Sequence, residues 1–195
     1  MKLTTLTHTL LALALTTTSY ATLADWNLNN TDSSLNFISI KKQSIGEVNS
    51  FKKLTGSLKE NGEAQVTVNL NSVETRVAKR NQRIKKELFE TSLFPQATVK
   101  TKLNMKRINH LKAGESYSEV LELALSIHGQ QQEVEADMRI TALTGNKLLA
   151  STIKPIIIKA SDFKLVQGIE VLRTLAKLPS ISTAIPVTAS FIFAR

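Results

Sequence analysis

A chain of 195 residues with a formal charge of +9 and no cysteine can bury one full core, but has no disulfide to fall back on. The missing thiols also exclude cysteine-ligated metal sites, and an aromatic content of 5% leaves few platforms for stacking nucleic-acid bases. The excess positive charge therefore points to anionic lipid head groups or a phosphate-bearing ligand.

Lys2, the apolar run from Leu6 to Leu15 and the small, polar stretch from Thr16 to Ala24 read as a cleavable secretory signal. The run falls well short of the ~20 apolar residues that span a bilayer. Cleavage after Ala24 is preferred to cleavage after Ala21, because Asp25-Trp26 looks like the opening of the folded part. The expected organisation is a signal over 1–24 and a single domain over 25–195, exported to the periplasm. Removing Lys2 leaves a charge of +8.

The domain opens on Trp26-Asn27-Leu28, a polar turn from Asn29 to Ser34, and a strand through Phe37 to Ile40. Ile45 to Leu58 reads as a second hairpin, and Asn61-Gly62 as a tight turn into the alternating Val66, Val68 and Leu70. After Asn71-Ser72 the period changes. Val73, Val77, Ile84, Leu88 and Phe89 fall near one helical stripe, with Arg76, Lys79, Arg80, Arg83, Lys85 and Lys86 mostly off it. Pro95 ends this basic helix, and Thr98 to Leu103 alternates again.

Asn104 to Ser118 reads as a polar connection. Two long strands follow, carrying Leu121, Leu123, Leu125 and Ile127, then Val134, Ala136, Met138 and Ile140, with His128-Gly129-Gln130 as the turn between them. Thr144-Gly145-Asn146 is a further turn, and Lys147 to Ala160 a strand interrupted at Pro155. Leu165 to Leu178 is a short amphipathic helix stopped by Pro179, before a last strand from Ile185 to Phe193.

Sheets with one apolar and one charged face must cover the apolar one. With two modest helices available, closing the sheet on itself does so. Ser72 and Thr75, Arg80-Asn81, Phe89, and Phe94-Pro95-Gln96-Ala97-Thr98 together resemble the signature of the YceI-like family, with Arg83 where that family often has histidine. Ser161-Asp162-Phe163 resembles a further segment of it. The resemblance implies a lipocalin-like barrel that binds polyisoprenoid or similar amphiphilic lipids. The expected fold is thus mainly β: a closed antiparallel lipocalin-like barrel of about eight strands, with one long basic helical crossing and one short C-terminal helix.

The expected lumen is formed by Phe37, Val66, Val68, Leu70, Val99, Leu123, Leu125, Ile127, Val134, Met138, Ile140, Ile156, Ile158, Val187 and Phe191, joined by Phe89, Phe94 and Phe163 from the resemblance. Its ligand would be a long-chain isoprenoid or related amphiphile of prenyl quinone or polyprenyl phosphate type. Arg76, Arg80 and Arg83 are candidates for its head group; an ion pair between Arg80 and a strand carboxylate is the other use of that position. The competing function is a filled barrel that docks on an anionic membrane or an acidic protein through the basic helix. No catalytic residue, metal or cofactor is expected, because His110 and His128 sit in loops and no nucleophile elbow or phosphate loop is present. Nucleic acid is not an expected partner, and monomer and homodimer are both open.

Overall fold

The structure is a computed structural model that describes residues 25–195; the expected signal lies outside the described residues. The alternating segments become strands β1 (Trp26–Leu28), β2 (Ser34–Lys41), β3 (Ile45–Phe51), β4 (Leu54–Leu58) and β5 (Glu63–Asn69). A short β6 (Val73–Glu74) precedes α1 (Ala78–Arg83), which widens into a π-helical turn over Ile84–Leu88. Next come β7 (Gln96–Lys102), α2 (Met105–His110), β8 (Ser116–Ile127) and β9 (Gln130–Leu143). The chain closes with β10 (Lys147–Thr152), β11 (Ile156–Lys159), α3 (Val166–Leu175) and β12 (Ala184–Ala194).

All pairings are antiparallel. The ring runs β1-β4-β5-β7-β8-β9-β10-β12, and β12 returns to β1 through Asn27 and Ala194, closing a barrel of eight strands. Closure removes the unpaired edges that an open sheet would present. Beyond a bend, β2 and β3 continue β1 and β4, so that Phe37 pairs with Val187 and β3 ends on β6. Asn30 holds that bend: its Oδ1 accepts from Leu54 N at 2.6 Å, and its Nδ2 donates to Lys52 O at 3.1 Å.

One end of the barrel is packed with apolar side chains. Trp26, Leu58 and Leu148 are buried there, and α2 adds the buried Ile108. The other end is crossed by α1, the π-helical turn and α3.

Three sequence expectations are corrected. Ile45 to Leu58 is no hairpin, because β3 pairs with β2 while β4 pairs with β5, the two running in line through Asn30. The helical crossing starts at Ala78 rather than near Val73: Val73 and Glu74 pair with Phe51 and Ser50, and Arg76 takes φ +61°, which no helix interior accommodates. The connection after Asn104 contains α2, capped by Asn104 Oδ1 accepting from Arg107 N at 3.2 Å, so His110 lies on a helix.

Candidate functional site

Inward-facing residues of the strands surround a cavity of about 250 Å³. Ala64, Val66 and Val68 of β5 and Leu70 just beyond its end line it, a length of about 20 Å at the usual rise of a strand. The wall it presents is wholly apolar. Of the three threonines in the lining, Thr98, Thr101 and Thr152, two commit their hydroxyls to backbone carbonyls: Thr101 Oγ1 donates to Glu122 O at 2.8 Å and Thr152 Oγ1 to Ala189 O at 3.4 Å. A long, apolar channel of this kind rewards hydrocarbon and offers water little to bond.

The helical cap shapes the cavity's mouth. In the π-helical turn Phe89 N donates to Ile84 O at 3.0 Å, and the wider winding brings the adjacent Leu88 and Phe89 both to the lining. Leu165 and Ile169 reach it from the start of α3. The two helical segments approach closely at Gly168, where an added Cβ would stand 2.6 Å from Glu87 O and 2.8 Å from Leu88 Cα.

A hydrogen-bonded knot anchors the cap to the sheet. Ser72 Oγ donates to Asn69 O at 2.6 Å and accepts from Lys53 N at 3.0 Å. The buried Thr75 donates from N and Oγ1 to Asn81 Oδ1, at 2.9 and 2.6 Å. Arg80 Nη1 donates to Glu47 Oε2 at 2.7 Å and Nη2 to Thr75 O at 2.5 Å. Contact with Lys41 at 3.0 Å, aided by the Arg80 charge and opposed by partial burial, holds the Glu47 carboxyl below the usual range. Lys52, the Arg76 N–H and the Asn81 amide bring Glu74 down to about 2.

The YceI-like domain pattern matches residues 26–193. The chain belongs to the YceI-like family. Among solved structures, a polyisoprenoid binding domain from Saccharophagus degradans implicated in plant cell wall breakdown is 34% identical, with a TM-score of 0.85, over 87% of this chain and 97% of that one. BcnA from Burkholderia cenocepacia shares the fold at 18% identity and a TM-score of 0.62, over 85% of this chain and 98% of that one. The YceI protein of Campylobacter jejuni does so at 20% and 0.51, over 77% and 89% of the two chains. No curated protein matches the chain in sequence.

In this YceI-like barrel, Phe37, Val66, Val68, Leu70, Phe89, Val99, Leu123, Leu125, Ile127, Val134, Met138, Ile140, Ile156, Ile158, Val187 and Phe191 all line the cavity. Two predicted lumen residues do not. Phe94 packs outside on His128, ring centroids 4.4 Å apart, because the turn at Glu90 sends the chain away from the mouth. Phe163 is fully buried behind the wall, in the helical turn over Ala160–Phe163.

Of the head-group candidates, none lines the cavity. Arg80 makes the contact with a strand carboxylate that was its alternative use, Arg83 Nη1 donates to Leu175 O at 3.1 Å, and Arg76 is exposed. Sequence reading missed Leu35, Phe51, Leu88, Leu165 and Ile169 as lining. For Leu88 the helical stripe was the available signal. Among the described residues no group of three or more His, Asp or Glu is placed to hold a metal ion.

Proposed function

We propose that the protein binds the chain of a long-chain isoprenoid or related amphiphilic lipid inside the barrel, without catalysis, for storage, protection or transfer in the periplasm after export. The observation that carries this reading is the narrow, wholly apolar cavity running beneath a two-helix cap. It is supported by the Saccharophagus degradans relative, a polyisoprenoid binding domain. A tail that enters first would lie along the apolar lining and leave the polar head by the cap. Prenyl quinones and polyprenyl phosphates are the ligand classes that suit a channel of this length.

Each methylene moved from water into the lining contributes ~0.8 kcal/mol, so affinity should climb with chain length until the channel is full and then level off. Organic extraction and native mass spectrometry of protein purified from its own host should reveal a co-purifying lipid, and titration with prenyl alcohols of increasing length should give that rise and plateau. Recovery of ligand-free protein that also ignores every added prenyl chain would sink the reading.

A further inference from the structure

The positive charge of this protein is concentrated at one end. Three segments build the mouth: the β2–β3 tip over 41–48, the α1 and π-helical region over 76–90, and the stretch around α3 over 159–178. Together they hold twelve Lys and Arg against five Asp and Glu, a net +7, whereas residues 25–195 as a whole carry +8. The segments form one surface. Arg80 to Glu47 joins the first two, Arg83 to Leu175 O and the Gly168 contact join the second and third, and Lys42 N donates to Ser180 O at 3.1 Å.

Exposed apolar side chains gather on the same surface. Of the nine large ones that the described residues expose, Ile45, Val48, Val77, Val166 and Leu175 lie on these segments, Val48 being 58% exposed and Val77 47%. Lysines interspersed with protruding aliphatic groups match an anionic bilayer: ammonium groups meet head-group phosphates while short apolar side chains enter the acyl boundary.

We propose that the cap end of the barrel docks on anionic lipid bilayers, setting the mouth of the cavity against the membrane. The docking surface goes beyond the cavity-binding reading and stands independently of it.

The test is co-sedimentation with vesicles of phosphatidylcholine containing phosphatidylglycerol, against phosphatidylcholine alone. The protein should partition onto the anionic vesicles and be released by salt. A quadruple variant, Lys42→Glu, Lys79→Glu, Lys164→Glu and Lys177→Glu, should lower partitioning on the order of 1000-fold or more, given the contribution of each basic residue near such a surface. Lys100→Glu, Lys102→Glu, Lys106→Glu and Lys112→Glu together make the same charge change away from the cap and should cost far less. Equal losses from the two quadruple variants, or failure of the wild type to bind anionic vesicles, would overturn the proposal. Thermal melts check that both variants fold, and prenyl alcohol titration in detergent reads the cavity separately. Vesicle binding without prenyl binding would sink the cavity reading and support docking; the reverse would sink docking alone.

Discussion

At the scale of single residues, the family signature is a joint rather than a reactive site. Ser72, Thr75, Arg80 and Asn81 spend their polar atoms on one another and on the backbone, and Glu47 completes the set from β3. Arg80→Ala should strip Glu47 and the Thr75 carbonyl of a charged donor and destabilise the fold by about 1–3 kcal/mol. Arg80→Lys should restore only part of this, since one ammonium cannot reproduce two guanidinium bonds in a fixed fork. Chemical denaturation measures both. Because Arg80 faces Glu47 and not the lumen, Arg80→Ala should weaken prenyl phosphates and prenyl alcohols equally; a loss confined to the phosphates would assign the guanidinium to the head group. The carboxylates set a pH dependence. Glu47 and Glu74 are held below their unfolded values, so their contribution is whole above the ordinary glutamate pKa of about 4.3 and is lost as the pH falls towards the Glu74 value of about 2. Stability should drop more steeply between those limits in the wild type than in a Glu47→Gln, Glu74→Gln variant.

At the scale of elements, the cap depends on one small residue. Gly168→Ala would drive a methyl into the backbone of Glu87 and Leu88, which cannot rotate aside, so α3 must shift away from the π-helical turn. The expected result is a loss of about 1–3 kcal/mol together with faster release of bound prenyl alcohol, followed by thermal melt and stopped-flow fluorescence. Which parts of this were legible in the sequence follows from the range of the forces involved. Period-two alternation and the Asn61-Gly62 and His128-Gly129 turns are local, and they located the β4–β5 and β8–β9 hairpins correctly. The start of α1 was misplaced because Val73 and Val77 fit a helical stripe, while pairing with β3 claimed Val73 for a strand. Asn30 bridging the break between β3 and β4, and Glu47 meeting Arg80, are contacts between residues distant in sequence, with no local pattern to announce them. Phe94 was misassigned for a related reason. The motif marked it, but its ring packs on His128, a residue distant in sequence, while its N–H closes a turn back to Glu90 O.

At the scale of the whole molecule, the lumen is core that was left unfilled. Ala150 lines it opposite bulky neighbours, pairing with Ile140 and Phe191. Ala150→Leu should therefore keep or raise stability, by up to about 1 kcal/mol, while shortening the longest prenyl chain accepted; calorimetry and the chain-length series read the two effects. A variant that fell in stability and bound every chain as before would contradict that geometry.

The apolar lining carries one more consequence. An unfilled apolar hollow is volume surrendered when the chain unfolds, so hydrostatic compression favours the unfolded form of the unloaded barrel. A guest occupying that volume should make the protein more resistant to kilobar pressures as well as to heat.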